Sequence, residues 1–324
     1  MSQTYRILSL DGGGVRGVVP AAILAAIEQR TGKPISKLFD LVAGTSTGGI
    51  LALGLLKPDS NGNPEFSAKR LCELYDEHIP QIFGNPQSWW GNLLGPKYKS
   101  FAFQEVLQQS LGNCRLKDAL VDVIIPCYDI EHRMPFMFKS RLAKLDIEED
   151  FPMRDVALAA SASPTLFHPV RIPRKSSYGR FICLVDGGVF ANNPAVCGYS
   201  ELKSVAQNEE DDYFVVSIGT GKSTRPLSDE IVSLWGYVQW SRPMLELVME
   251  SNSESVHQQI RHLFPTAENN RQYYRLQVEL PTHTNFAIDD ASSSNLKLLR
   301  AAAQEFCARS KELDAVCERL LGKS

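Results

Sequence analysis

A serine between two glycines is the strongest candidate for chemistry in this chain. The segment Gly44-Thr45-Ser46-Thr47-Gly48 matches G-x-S-x-G, a pattern in which a sharp strand-to-helix turn exposes the serine hydroxyl at a helix N-terminus. The flanking Gly44 and Gly48 leave room for such a strained turn. The apolar stretch 39–43 before it predicts a strand, and the apolar stretch 50–56 after it predicts a helix. Ser46 is therefore predicted to be a nucleophile, with a plain glycine-rich turn as the alternative.

Three consecutive glycines follow the first predicted strand. The loop DGGGVRG at 11–17 stands between the apolar stretch 5–10 and an apolar helix. Amides of Gly12, Gly13 and Gly14 at a helix N-terminus suit a developing anion, so the loop predicts an oxyanion hole. The same letters match the G-x-G-x-x-G of dinucleotide sites, which want an acidic residue about 20 positions on, at the end of the second strand. Here the second strand ends in the serine turn instead, which favours the oxyanion hole.

The base that would activate the serine is either a histidine or an aspartate. Six histidines occur, and three lie where the chain order of a Ser-Asp-His triad allows its histidine: His257, His262 and His283. None of the three follows a predicted strand. Asp186 does, and the pair Gly187-Gly188 comes after it. The carboxyl ends of parallel strands meet at one edge of a sheet, so Asp186 is expected beside Ser46, with a turn-forming Asp-Gly as the alternative.

The predicted strands alternate with helical stretches, which is typical of an α/β fold with a doubly wound, largely parallel sheet. Apolar strands are predicted at 5–10, 39–43, 121–127, 136–139, 181–185 and 213–218. At least four of them end at a glycine turn. From 223 onwards the chain is predicted to be helical, with an amphipathic helix at 229–237 and one long helix or two over 295–321.

Composition and charge restrict the class of protein. The chain has 324 residues, 44% of them hydrophobic and 22% charged, which excludes a disordered or fibrous chain. A net charge of −3 argues against nucleic-acid binding. Apolar stretches fall short of the roughly 20 residues that span a bilayer, and no signal peptide is evident, so we expect a cytoplasmic protein. The seven cysteines are scattered and suggest reduced thiols, with no zinc site.

Three motifs in this order resemble the patatin-like phospholipases. They are DGGGVRG at 11–17, GTSTGG at 44–49 and DGGVFANNPA at 186–195. The resemblance extends to SASPTLFHPV at 161–170, SIGTG at 217–221 and DDASSSNLKLL at 289–299. It therefore spans nearly the whole chain, which we treat as a single domain over 1–324 with a motif-bearing core at about 5–221 and a helical continuation at about 222–324.

The resemblance implies a three-layer α/β/α sandwich and a lipid acyl hydrolase that works without calcium, another metal or a cofactor. Ser46 would be the nucleophile and Asp186 the base of a Ser-Asp dyad, with the oxyanion held by Gly12, Gly13 and Gly14. Supporting positions would be Arg16, Gly17, Gly44, Gly48, Gly187 and Gly188. Arg16 is open to three interpretations: it orients the oxyanion loop, it meets a lipid phosphate, or it pairs with a nearby carboxylate.

The expected substrate is a phospholipid or glycolipid, reached through transient contact with a membrane surface. Two segments are candidates for that contact: the Trp-rich loop 89–99, and the stretch 231–240, where packing on a core or a partner subunit is the favoured interpretation. Two other functions stay open, a dinucleotide-dependent enzyme using Gly12–Gly17 and a non-catalytic storage or binding protein. The sequence does not decide between lipid head groups, oligomeric states or activators.

Overall fold

The computed structural model describes residues 3–84, 86, 95–176, 179–206, 208, 210–223, 228–236, 239–240, 243–264 and 272–322. The strands in this part of the chain are β1 (Thr4–Leu10), β2 (Leu41–Gly44), β3 (Asp122–Asp129), β4 (Met134–Lys139), β5 (Val170–Ser176), β6 (Gly179–Asp186), β7 (Asp212–Ile218), β8 (Lys222–Ser223), β9 (Tyr273–Leu276) and β10 (Glu279–Leu280). The helices are α1 (Val18–Thr31), α2 (Thr47–Leu56), α3 (Ala68–Phe83), α4 (Phe101–Leu111), α5 (Ser140–Leu145), α6 (Met153–Ala160), α7 (Gly188–Ala191), α8 (Ala195–Val205), α9 (Asp229–Val232), α10 (Pro243–Leu263), α11 (Ser293–Arg309) and α12 (Lys311–Leu320).

Eight strands form the central sheet, in the order β5-β6-β3-β2-β1-β7-β9 with β4 paired to β3 off this path. The five strands β3, β2, β1, β7 and β9 run parallel to one another. At one end of the sheet β4, β5 and β6 pair antiparallel. The predicted α/β class with a mostly parallel sheet is therefore confirmed.

The sheet is covered by helices on both faces. Along the central strands successive side chains enter different cores, as period-two alternation requires: Leu8 and Val42 pack with α1, α2, α11 and α12. Ile7 and Leu41 pack on the opposite face with α8 and α10. Because both faces are buried, these strands are continuous apolar runs in the sequence.

The strand that carries Asp186 differs from the expectation, because β6 is antiparallel to β3. One edge of β3 is occupied by β4 along residues 124–129. The other edge is shared, with β2 beside 122–124 and β6 beside 127–129. β2 and β6 therefore meet end to end along β3, and their carboxyl ends face each other across a short gap. The candidate residues converge through this head-on arrangement and not through a common parallel direction.

The C-terminal part is less helical than predicted, since β9 adds a parallel strand to the central sheet beside β7. Four residues give too short an apolar pattern to identify in the sequence. Of the described residues in the expected helix 229–237, only 229–232 are helical. The stretch 295–321 forms two helices separated at Ser310. The tryptophan pair of the 89–99 loop and the middle of the 231–240 stretch lie outside the described residues. None of the described helices is long and apolar enough to cross a membrane.

Candidate active site

Ser46 sits on a strained turn between β2 and α2. Its backbone angles are φ 53° and ψ −124°, a conformation that few side chains adopt. The turn is tight enough that a Cβ on Gly44 would collide with the carbonyl oxygen of Gly48, and a Cβ on Gly48 with that of Leu10. Both glycines are thus required by close backbone approach, and Ser46 stands at the N-terminus of α2, where the helix dipole favours negative charge.

The structure brings Ser46 and Asp186 into direct contact. Ser46 Oγ donates a hydrogen bond to Asp186 Oδ2 at 2.6 Å. Both residues are buried, with 6% and 2% of their surface exposed. The contact follows from the end-to-end meeting of β2 and β6, which places Ser46, the second residue after β2, against Asp186, the last residue of β6. A carboxylate at this distance can accept the serine proton directly.

The carboxylate of Asp186 is held in one orientation and made more basic. Its second oxygen, Oδ1, accepts from the backbone N–H of Gly188 at 2.8 Å, and its own N–H donates to the carbonyl of Ala162 at 3.1 Å. Burial raises its pKa from 3.8 to about 6, and the hydrogen bonds from Ser46 and Gly188 partly oppose that rise. A base with a pKa near neutrality is well matched to proton transfer. Gly187 and Gly188 carry the chain from this residue into α7.

The glycine loop offers two amides and not three. The N–H of Gly12 donates to the carbonyl of Asn192 at 3.1 Å, so the expectation that this amide faces an oxyanion is wrong. Within the described residues, the N–H groups of Gly13 and Gly14 have no protein acceptor. Gly14 adopts φ 57°, and a Cβ there would collide with the carbonyl of Ile288. Gly14 and Ser46 line the same cavity.

Arg16 supports the loop from inside the protein. Its Nε and its backbone N–H both approach the carbonyl of Gly13, at 3.4 and 3.1 Å, and its guanidinium lies 3.7 Å from the ring centroid of Phe286. It forms no ion pair with a carboxylate in the described ranges. Burial lowers its pKa to about 10, and the residue is 3% exposed. Of the three interpretations, orientation of the loop fits the structure.

Two groups near Ser46 were not identified by the sequence analysis, because neither belongs to a pattern that it used. Tyr75, on α3, donates to the backbone carbonyl of Thr47 at 3.0 Å, and its ring lies where a Cβ on Gly17 would fall. The backbone N–H of Thr47 has no acceptor among the described residues. It follows the nucleophile directly, as an oxyanion donor does in α/β-hydrolases.

Two of the three candidate histidines have hydrogen-bond partners away from Ser46. His257 Nδ1 contacts the hydroxyl of Tyr273 at 3.0 Å, and His262 Nδ1 contacts the carbonyl of Gln258 at 2.7 Å. In the described part of the chain, no histidine or other third side chain is hydrogen-bonded to Ser46 Oγ. The geometry therefore defines a serine-carboxylate pair.

An apolar cavity opens at Ser46. Its wall is formed by α2 together with α3 and α4, two helices that the sequence analysis does not assign. The spacing of Phe103, Val106, Leu107 and Leu111 is nonetheless that of an amphipathic helix. The aliphatic and aromatic residues that line the cavity include Ile50, Leu71, Ile82, Phe103, Val106 and Leu107.

Features of a metal or dinucleotide site are not found in the residues that the structure describes. These contain no cluster of three or more His, Cys, Asp or Glu side chains able to hold a metal ion. The second strand ends at Gly44 and leads directly to Ser46, where a dinucleotide site would place a carboxylate on the ribose.

The fold and the site define an α/β protein with a strained serine turn and a glycine loop at the carboxyl edge of its sheet. The model of the family described as patatin-like phospholipase matches residues 8–196. The chain belongs to this family. Patatin-like protein 2 of rice, Oryza sativa subsp. indica, is 34% identical over 327 residues, covering 90% of this chain and 80% of the relative. Patatin-like protein 1 of Arabidopsis thaliana is 32% identical over 332 residues, covering 92% and 80%.

A solved structure is also similar, that of VipD from Legionella pneumophila. It has a TM-score of 0.43 and 13% identity, and the match covers 96% of this chain and 67% of that one. The similarity is too distant to support a conclusion about activity.

Proposed function

We propose that this protein is a lipid acyl hydrolase that cleaves carboxylic esters of phospholipids or related glycerolipids. The observation that carries the proposal is the hydrogen bond of 2.6 Å between Ser46 Oγ and Asp186 Oδ2, with Ser46 lining an apolar cavity. Family membership supports the same class of reaction.

In the acylation step Asp186 accepts the proton of Ser46 while Oγ attacks the ester carbonyl. Negative charge develops on the carbonyl oxygen, and the N–H groups of Gly13 and Gly14 stabilise it. Collapse of the tetrahedral intermediate breaks the bond to the alcohol, which leaves with the proton from Asp186. The product is an acyl ester on Ser46 and a free lyso-lipid or glycerol hydroxyl.

Deacylation reverses these roles with water as the nucleophile. The Asp186 carboxylate takes a proton from water, hydroxide attacks the acyl carbonyl, and the proton returns to Ser46 as the fatty acid leaves. An ordinary carboxylate is a much weaker base than imidazole, but burial raises the pKa of Asp186 to about 6. The raised pKa brings this carboxylate close to the pKa of a histidine, about 6.5.

The cavity accounts for the acyl part of the substrate. Its walls present side chains such as Ile50, Phe103 and Leu107, which can bury the methylene groups of a chain at about 0.8 kcal/mol each. A nucleophile in the wall of such a cavity favours a carboxylic ester of a fatty acid over a polar acyl donor.

The test is covalent labelling with a fluorophosphonate followed by hydrolysis assays. Wild type is expected to be labelled at Ser46, and Ser46→Ala is expected to be unlabelled with turnover lowered by several orders of magnitude. A panel of phospholipids, galactolipids and triglycerides then identifies the head group. Chelators should leave the rate unchanged.

The same experiment separates the alternatives. A storage or binding protein would bind lipid and show neither labelling nor turnover. A dinucleotide-dependent enzyme would bind a nicotinamide cofactor with loss of affinity in a Gly13 variant, and Ser46→Ala would not affect that binding. Either result would overturn the proposal.

A further inference from the structure

The direction of an N–H group in the oxyanion loop is set by the hydrogen bonds to the carbonyl group of the same peptide bond. Every described peptide bond is trans, so the N–H of Gly13 points opposite to the carbonyl of Gly12 in the same rigid plane. That carbonyl accepts from Thr220 Oγ1 at 3.2 Å and from Asn192 Nδ2 at 3.4 Å. A group that donates a hydrogen bond to the carbonyl of Gly12 therefore orients the N–H of Gly13.

Thr220 is the better placed of these two donors. The amide of Asn192 is shared, because Nδ2 also donates to Ser253 Oγ at the shorter distance of 3.0 Å. Thr220 Oγ1 donates only to the carbonyl of Gly12 among the described residues. It is also the closer of the two donors to the Gly12 oxygen.

Thr220 is itself held rigidly against the loop. The residue is 4% exposed and follows β7 in a turn whose first residue, Gly219, donates to the carbonyl of Leu276 on β9 at 3.0 Å. Its side chain fills the space beside Gly13, where an added Cβ would lie 2.7 Å from Thr220 Cβ. Thr220 is therefore a fixed support, and the segment 217–221 that contains it is separate in the chain from the nucleophile, the aspartate and the glycine loop.

We propose that Thr220 is a positioning residue of this enzyme, which orients the N–H of Gly13 toward the oxyanion by holding the carbonyl of Gly12. The inference rests on the proposed function, since it assigns Thr220 a part in that reaction. Thr220 acts through the peptide group between Gly12 and Gly13 and does not touch the substrate.

The experiment compares Thr220→Val, which keeps the shape and loses the donor, with Thr220→Ser, which keeps the donor. With p-nitrophenyl butyrate as the probe, Thr220→Val is expected to lower kcat about 10- to 100-fold with KM little changed, since a full oxyanion donor is worth about 10²- to 10³-fold. Thr220→Ser is expected to restore kcat to within about threefold of wild type. The matched control is Thr31→Val, which removes a buried hydroxyl that donates to the carbonyl of Ile27 at the end of α1, and its kcat should equal that of wild type.

A second readout does not depend on turnover. In protein labelled with ¹⁵N-glycine, the amide resonance of Gly13 should move in Thr220→Val and stay in place in Thr31→Val. If Thr220→Val also lowers Tm, kcat is measured at a temperature below the unfolding transition of every variant. The ratio of kcat in Thr220→Ser to kcat in Thr220→Val then decides whether the hydroxyl group matters.

The inference is overturned if Thr220→Val keeps the kcat of wild type, or if Thr220→Ser is as slow as Thr220→Val. An unmoved Gly13 resonance in Thr220→Val would overturn it as well. Failure of the proposed function looks different, because wild type itself would then hydrolyse no ester and take no fluorophosphonate label.

Discussion

Asp11 and Arg275 form a buried bidentate ion pair across 264 positions of the chain. Arg275 Nη1 donates to Asp11 Oδ1 at 2.8 Å and Nη2 donates to Oδ2 at 2.5 Å. The side chain of Arg275 is 9% exposed and that of Asp11 is 3% exposed. Ser253 also donates to Asp11 Oδ2, at 3.0 Å. The pair ties the first residue of the glycine loop to β9, so a strand beyond the three main motifs anchors this loop.

Arg275→Leu is expected to destabilise the protein by about 3–5 kcal/mol, because it leaves the carboxylate of Asp11 buried without its partner. The double variant Asp11→Leu with Arg275→Leu should recover a large part of that loss. Urea unfolding at pH 7.5 measures both values.

The control for this prediction is Arg309→Leu, which removes an exposed pair with Glu305 and should change stability by less than about 0.5 kcal/mol. A loss no greater in Arg275→Leu than in Arg309→Leu would refute the anchoring role.

Activity is expected to rise with pH and to reach half its maximum near pH 6. The carboxyl group of Asp186 must be ionised to accept the proton of Ser46, and burial raises its pKa to about 6. The measurement is kcat/KM for a short-chain ester between pH 4.5 and 8.

A histidine base would give a similar midpoint, so the chemical nature of the group needs a separate measurement. An organic co-solvent raises the pKa of a carboxylic acid, which is neutral when protonated, and lowers that of an imidazolium. A midpoint that moves to higher pH in aqueous methanol is expected here. Movement to lower pH would assign the base to a histidine.

The raised pKa of Asp186 also predicts that the effect of Asp186→Asn on stability depends on pH. The pKa is about 6 in the folded chain against an ordinary value of 3.8, so the folded state binds more protons between these values and stability falls as pH rises through that window. A rise of about two pKa units corresponds to about 3 kcal/mol in all, of which about 2 kcal/mol falls between pH 4.5 and pH 7.5. Relative to wild type, Asp186→Asn should therefore be more stable at pH 7.5 than at pH 4.5, as measured by urea unfolding. A difference independent of pH would contradict the raised pKa.

Gly13→Ala is expected to impair turnover more than folding. The φ of Gly13 is 172°, which any residue adopts, so the added methyl group acts by pressing on Thr220 and tilting the amides of the loop. Turnover of a short-chain ester should fall about 10- to 100-fold. Tm should fall as well, because the added Cβ would lie 2.7 Å from the Cβ of the buried Thr220, but the protein should still fold. The control is Gly236→Ala at an exposed position, and equal rates in the two variants would remove the oxyanion role from Gly13.

Val106→Trp is expected to shorten the acyl chain that the enzyme accepts. Val106 lines the cavity that opens at Ser46, and a tryptophan there fills space that the methylene groups would occupy. The ratio of rates on long-chain and acetyl esters should fall at least tenfold. Leu145→Trp on the exposed face of α5 serves as the control, and an unchanged ratio in Val106→Trp would show that the chain binds elsewhere.

The sequence by itself determined the local machinery. Gly44 and Gly48 around Ser46, and Gly14 in the loop, identify tight turns, because backbone atoms approach too closely for any Cβ. That requirement is visible in residue type alone. The continuous apolar strands likewise reveal a sheet buried on both faces. The family resemblance rests on the same short motifs.

Only the tertiary structure decided how these turns combine. Three observations depend on contacts between distant segments. The N–H of Gly12 donates to the carbonyl of Asn192, the carboxyl ends of β6 and β2 face each other beside β3, and Arg275 donates to Asp11. Residue type and periodicity report the environment of a side chain along its own element. The direction of a peptide plane and the pKa of a buried carboxylate instead depend on neighbours that the fold brings from elsewhere in the chain.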